Sequence, residues 1–97
     1  MNEFFAALGR MWRAAAGRRG VPIAEPELDS AVAQELLELA RVTAHSKERR
    51  FAPLATFVAG IAAERLRQAK GADADAIAAY IREVREELER ESGSSPT

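Results

Sequence analysis

Apolar residues recur every three or four positions in four segments of the chain, and glycines, prolines or polar residues separate these segments. Such spacing lines apolar side chains along one face of an α-helix. It predicts helices over about residues 2–16, 27–46, 53–69 and 74–91. A chain of 97 residues has the length of one domain with a single modest core. We therefore predict an all-α fold, a small four-helix antiparallel bundle forming a single domain over residues 1–91, followed by a disordered tail, 92–97.

The first segment combines large apolar residues with arginines. Its apolar face and the flank of that face hold Phe4, Phe5, Leu8, Met11, Trp12 and Ala15. The run RMWRAAAGRR could contact nucleic acid or a membrane, but helical spacing turns its arginines towards solvent and favours packing instead. We expect neither nucleic acid nor membrane as a partner. Phe4, Phe5 and Trp12 are candidate interface residues, for a partner protein or for a homodimer.

The second and third segments carry broad apolar faces, which predicts that these two helices lie at the centre of the fold. The third is expected to bury Leu54, Phe57, Val58, Ile61, Ala62 and Leu66. Gly60 interrupts this helix, and glycine inside a helix costs about 1 kcal/mol relative to alanine. We interpret Gly60 as allowing another helix to approach closely.

The fourth segment has the narrowest apolar stripe, formed by Ile77, Ile81, Val84 and Leu88. Gly71 is expected to end the helix before it, and Asp73 or Asp75 to cap its own first turn. On its polar side, arginines and glutamates lie four residues apart. They predict the pairs Arg82–Glu86, Arg85–Glu89 and Glu86–Arg90.

Composition narrows the choice of function. The net charge of −1 gives no overall attraction to nucleic acid or to an anionic membrane. The absence of cysteine excludes disulfides, thiolate nucleophiles and cysteine-ligated zinc, and a single histidine makes other metal sites a poor fit. The N-terminal segment is unlike a signal peptide or a membrane span, so we expect a cytoplasmic protein.

The stretch LARVTAHSKERRFAPLATF, residues 39–57, holds the only histidine among basic residues. On a helix, Arg41 and His45 share a face, and Arg49 joins them if the helix continues. Together with backbone amides behind Pro53, these cations could hold a phosphate, nucleotide or carboxylate. The same cations would also stabilise the negative end of the second helix without any ligand. Both interpretations stay open, and the candidate ligand-binding residues are Arg41, His45, Arg49 and Thr56.

No catalytic motif stands out in the sequence. Nucleophilic catalysis would require Thr43, Ser46 or Thr56 against His45, with an orienting acid such as Glu48, and residues so close in sequence rarely reach that geometry. The sequence has no GxSxG and no glycine-rich phosphate-binding loop. We expect no enzymatic activity, cofactor or metal.

The run LLELARVTAHSKERRFAPLATFVAG, residues 36–60, resembles a family of small uncharacterised bacterial helical domains. Arg41, His45, Arg49, Ala52, Pro53, Leu54, Thr56, Phe57 and Gly60 match the family pattern. Val42 departs from it, because relatives often have an acidic residue there, and Arg50 and Phe51 replace proline and small residues. Members occur alone or as a C-terminal tail of molybdenum-cofactor guanylyltransferases. The resemblance therefore implies an accessory role near molybdopterin guanine dinucleotide synthesis, with such an enzyme as partner.

The sequence as a whole favours a non-enzymatic accessory or protein-interaction domain, linked to molybdenum-cofactor biosynthesis through the resemblance. The alternative is a small phosphate- or nucleotide-binding domain that uses the turn between the second and third helices. The two hypotheses differ in what Arg41, His45 and Arg49 do, because only the second requires them to meet a ligand.

Overall fold

The computed structural model describes residues 2–93, with side chains described up to residue 91. Four α-helices account for most of this part of the chain, and no strand occurs in it. The helices are α1 (Glu3–Arg18), α2 (Ser30–Ser46), α3 (Ala52–Lys70) and α4 (Ala74–Gly93). The all-α class with four helices is thus confirmed. α4 extends into the segment expected to be a disordered tail, and residues 94–97 lie outside the described residues.

The chain divides into two compact units, one ending at Ser30 and one beginning at Ala31. The first contains α1 and the irregular segment after it. The second contains α2, α3 and α4, which share one apolar core. The single-domain organisation expected from the sequence stays a prediction.

In the first unit, α1 begins where the side chain of Asn2 accepts a hydrogen bond from the backbone N–H of Phe5, at 3.1 Å. This bond satisfies one of the amides that a helix start leaves unpaired. The segment after the helix returns across it, so that an added Cβ on Gly9 would lie 2.5 Å from the carbonyl oxygen of Pro26. Only glycine allows this approach, and Gly9 is the buried residue of α1. α2 begins at Ser30, three residues later than expected.

In the second unit, local signals set the helix boundaries as the sequence predicts. Gly71 ends α3 in the left-handed conformation, with φ of 66°, and its N–H bonds to the carbonyl of Arg67. Asp73 rather than Asp75 caps α4, because its Oδ1 accepts from the N–H of Ala76 at 2.9 Å. A short 3₁₀ helix, Arg49–Phe51, precedes α3.

The core of the second unit is centred on Leu39 of α2 with Ile77 and Ile81 of α4. α3 contributes small or half-buried residues to it: Ala55, Ala59, Ala63 and Leu66. No residue of α3 is fully buried. The expectation that the second and third helices are central is therefore wrong for α3, since α2 and α4 hold the buried side chains.

α3 also leaves outside the large residues that it was expected to bury. Leu54 and Val58 are each 62% exposed, and Phe57 is 70% exposed. Ile61 is also exposed. Among the described residues, nothing lies within 4 Å of an added Cβ on Gly60, so no helix of the second unit approaches closely there and that interpretation is wrong as well. The reason is packing: α3 faces the core with Ala55, Ala59, Ala63 and Leu66, so the large side chains on its other faces lie towards solvent.

Candidate functional site: an apolar groove beside a basic turn

The residues expected to bind an anion lie around the turn after α2. α2 ends at Ser46, whose hydroxyl donates to the carbonyl of Val42 at 2.7 Å. The helix does not continue to Arg49, which instead belongs to the 3₁₀ helix. Arg49 is therefore not on the helical face that Arg41 and His45 share. The three side chains therefore do not share the helical face that the sequence suggested.

Arg41 is already paired with carboxylates. Its Nε and Nη2 donate to Oε1 of Glu38 at 3.2 and 3.0 Å, and Nη2 lies 3.8 Å from Oε2 of Glu89 on α4. The hydroxyl of Thr56 donates to the carbonyl of Pro53 at 2.9 Å. Among the described residues, no hydrogen bond or ion pair joins any two of Arg41, His45, Arg49 and Thr56. Their role in ligand binding stays a prediction.

The turn is nevertheless basic and open to solvent. His45, Lys47, Arg49 and Arg50 are all exposed. Arg50 is held by Glu48, whose Oε1 accepts from its Nε at 2.9 Å, and its guanidinium carbon lies 5.9 Å from the centre of the Phe51 ring. Lys47 and Arg49 have no ion pair within the described part of the chain.

A charged network that sequence patterns did not reveal links α2 to α4. The buried carboxylate of Glu35 accepts from Nε of Arg82 at 3.0 Å and from Nη2 of Arg85 at 3.1 Å. Arg85 also donates to Glu89, as its spacing predicted, whereas the expected Arg82–Glu86 pair gives way to Arg82–Glu35. In the sequence, Glu35 lies among the apolar residues of α2. This unusual position was the one sign of a partner for its carboxylate on another helix.

The environment of Glu35 is that of a structural ion pair. Burial raises the pKa of its carboxyl, but hydrogen bonds from Arg82 and Arg85 and the charges of both guanidinium groups outweigh burial, so the pKa lies below its ordinary value of 4.5. A carboxylate held ionised by two arginines is a poor general acid or base near neutral pH.

An apolar groove opens on the second unit between its three helices, with a volume of about 520 Å³. Its polar lining residues are few, and the hydroxyl of Thr43 is already bonded to the carbonyl of Leu39 at 2.8 Å. The residues that line it are Leu39, Thr43, Lys47, Phe51, Leu54, Ala55, Val58, Ala59, Ala62, Tyr80, Ile81, Val84 and Leu88. Their side chains can bury apolar groups, but they offer almost nothing that could orient a polar substrate.

Large apolar residues at the rim of the groove face solvent. Leu54 and Val58 stand one turn apart on α3, and Val84, which is 51% exposed, stands opposite on α4. Phe57 extends the same surface beyond the groove. Contiguous exposed apolar residues of this kind are typical of surfaces that contact another molecule.

The aromatic residues of α1 form a separate surface on the first unit. Phe4 and Trp12 are exposed, at 64% and 60%, and Phe5 is half-buried. The rings of Phe4 and Phe5 meet edge to face, with centroids 5.0 Å apart. Their expected role in an interface or a homodimer stays a prediction.

The described residues contain neither a membrane-spanning helix nor a metal site. No helix there is long and apolar enough to span a bilayer. No group of three His, Asp or Glu residues in that part of the chain lies close enough to hold a metal ion.

Comparison with known proteins places the chain in a family without assigning it a role. The family model described as "Domain of unknown function (DUF6457)" matches residues 5–96. The expectation of a family of uncharacterised domains is confirmed, whereas the match carries no link to molybdenum-cofactor guanylyltransferases. A search of curated proteins and a search of solved structures each found no match.

Proposed function

The chain belongs to the family of domains of unknown function DUF6457, and we propose that it acts as a protein-interaction domain without catalytic activity. The observation that carries this proposal is the apolar groove with its exposed rim of Leu54, Val58 and Val84. Exposing such side chains to water is unfavourable, by about 25 cal/mol for each Å² of apolar surface. A partner that covers them gains this free energy on binding.

The chemistry of the groove also favours contact over catalysis. Lys47 and Tyr80 are its only lining residues with side chains that titrate. Acid–base catalysis requires a group whose pKa suits the working pH, placed within hydrogen-bonding reach of the substrate. A lysine at one end of an apolar surface is better suited to orienting a partner.

The test of the interaction proposal is crosslinking inside cells that naturally make the protein. A photo-crosslinking phenylalanine derivative replaces Phe57, whose side chain is 70% exposed. We expect discrete crosslinked products that disappear when Leu54→Ser and Val58→Ser are added. The matched control carries the same derivative at the exposed Glu86, which lies two residues, or about 200°, round α4 from Val84. Identical products from both positions, or none from Phe57, would overturn the proposal.

A more specific proposal names the partner protein. The resemblance of residues 36–60 supports a molybdenum-cofactor guanylyltransferase, and hence a role in molybdopterin guanine dinucleotide synthesis. Proton–nitrogen NMR of the labelled chain, titrated with such an enzyme, tests it. Shifts confined to residues around Leu54 and Val84 would support this partner, and an unchanged spectrum would overturn it. The cytoplasmic location and the homodimer expected from the sequence stay predictions.

The alternative, a phosphate or nucleotide site at the turn after α2, is supported by Lys47 and Arg49, which are exposed and have no ion pair in the described residues. Titration of the same labelled chain with GTP, GMP and inorganic phosphate tests it. Shifts at His45 and Arg49 that saturate with nucleotide would establish this alternative. An unchanged spectrum would exclude it and leave the interaction proposal untouched.

A further inference from the structure

We propose that the apolar groove binds one amphipathic helix of a partner protein, and that the side of this helix facing α4 is basic. This inference rests on the proposed interaction function and adds the kind of partner and its orientation. It follows from the spacing of the rim residues and from charges that have no ion pair among the residues that the structure describes.

The shape of the groove suits a helix. Leu54 and Val58 on α3 are four residues apart, as are Tyr80, Val84 and Leu88 on α4. Each set forms a ridge with one side chain per helical turn, and the α4 ridge spans about 12 Å at 1.5 Å per residue. A third helix packs between two such ridges with side chains at i, i+3, i+4 and i+7. About two to three turns of a partner helix would therefore contact the groove.

A small apolar molecule explains the exposed rim less well. Binding pockets for small molecules enclose most of the ligand surface, whereas here Phe57 lies exposed outside the groove and continues its apolar surface. A ligand confined to the groove would leave this ring in water. A helix lying along the rim covers it.

The charges beside α4 indicate the sign of the charge that the partner carries on this side. Glu83 and Glu87 follow Tyr80 by three and seven residues, so all three share one side of α4. Both glutamates are exposed, and neither has an ion pair among the described residues. By contrast, Glu89 on the same helix is bound by Arg85. Arginine or lysine on the partner would meet two carboxylates that no described residue of the second unit neutralises.

Away from α4, the residues beside the groove carry positive charge. This difference in charge orients the partner. Arg65 follows Ile61 by four residues on α3, and Lys47 lines the other end of the groove. Neither has an ion pair in the described part of the chain. A helix that is basic on all polar sides would be repelled there, and so would fit less well than one that is basic on its α4 side only. Complementary charge of this kind acts mainly on orientation and association rate.

The experiment uses two synthetic helical peptides with the same leucine stripe. One carries arginine on the flank next to the stripe, and the other carries glutamate at the same positions. Binding to the full chain is measured by fluorescence anisotropy at low and at high salt. We expect the arginine peptide to bind at least about tenfold more tightly at low salt, with the ratio falling as salt screens the charges.

Charge reversal on the protein tests whether the basic side of the partner helix faces α4. The double variant Glu83→Arg and Glu87→Arg is expected to reverse the preference, so that the glutamate peptide binds more tightly. Glu86→Arg is the control: this residue neighbours Glu83 but lies about 200° round α4 from Val84, away from the groove, so its reversal should leave the arginine peptide the tighter binder. An unchanged preference in the double variant would overturn the charge assignment. Circular dichroism checks that each variant keeps its helices.

Three outcomes separate this inference from the function on which it rests. If the variant Val58→Asp keeps its helices but no longer binds either peptide, this result supports binding in the groove. If neither peptide binds while crosslinking through position 57 persists, the helix proposal fails and the interaction function stands. If sedimentation shows self-association that Val58→Asp abolishes, a second copy of the chain occupies the groove, and the inference of a different partner protein is overturned.

Discussion

Glu35 is the residue whose surroundings differ most from what its sequence neighbours suggest. It is buried on α2, yet its charge is balanced by Arg82 and Arg85, which lie 47 and 50 residues away. Arg85 is itself only 15% exposed and holds Glu35 and Glu89 together. Its Nε is buried, and no described residue accepts a hydrogen bond from it. Removing one charge would leave the others poorly compensated.

Glu35→Gln should lower the free energy of unfolding by about 2 kcal/mol, because Arg85 loses a charged partner inside the second unit. The effect is smaller than the about 3–5 kcal/mol typical of fully buried pairs, since Arg82 remains half-exposed and hydrated. Urea unfolding monitored by circular dichroism measures the change. Glu86→Gln, on the exposed side of α4, is the control and should alter stability by less than about 0.5 kcal/mol. Equal stability of both variants would contradict a stabilising role for the pair.

The same carboxylate predicts a dependence of stability on pH. The pKa of Glu35 is lower in the folded chain than its ordinary value of 4.5, so the unfolded chain takes up the proton first as pH falls. The stabilisation is fully present above 4.5 and is lost as pH falls through the lower folded pKa. The difference in unfolding free energy between the unmodified chain and Glu35→Gln should therefore shrink as the pH is lowered from above 4.5 through the folded pKa. A difference that stays constant over that range would show that the carboxyl pKa is not lowered by folding.

At the scale of the helices, three glycines stand in three different environments, which the sequence pattern alone does not separate. Gly71 needs its left-handed conformation to end α3, and Gly9 gives room to the carbonyl of Pro26. Gly60 has neither role, because its φ is not positive and its Cβ position is open. The sequence predicted Gly71 correctly since a helix end has a local signal. Whether a neighbour approaches a glycine depends on residues distant in sequence.

Gly60→Ala should therefore raise the free energy of unfolding by about 0.5–1 kcal/mol, because alanine loses less backbone entropy in a helix and meets no neighbour. Gly71→Ala should lower it by about 1 kcal/mol, since a Cβ is unfavourable at φ of 66°. Thermal unfolding of both variants measures the two changes. Destabilisation by Gly60→Ala would show that another helix does pack against this position, as the sequence pattern first suggested.

At the scale of the whole molecule, apolar side chains fall into two classes. Ile77 and Ile81 are almost completely buried and hold α4 on the core of the second unit, whereas the large residues of α3 lie on its surface. The net charge of −1 gives no overall electrostatic field. The buried side chains and the large exposed side chains of α3 are thus separate sets in this unit, although Leu39 and Ile81 belong to the core and also line the groove.

Ile81→Ala and Phe57→Ser test this division. Ile81 is 4% exposed, and its truncation should cost about 3 kcal/mol through lost burial and the cavity left behind. Phe57→Ser should change the free energy of unfolding by less than about 0.5 kcal/mol, because the ring is mostly in water already. Urea unfolding of each variant gives both values. A large loss from Phe57→Ser would show that the α3 surface belongs to the core.

The sequence by itself determined the four helices and some of the features that bound them, such as the Gly71 end of α3 and a cap of α4 at Asp73 or Asp75. These depend on hydrogen bonds and conformational preferences within a few residues, which a pattern can reveal. Only the tertiary structure decided which apolar faces are buried, which arginine pairs with Glu35, and where the groove opens. Each of these depends on side chains that are tens of residues apart, so helical spacing alone left several arrangements equally plausible.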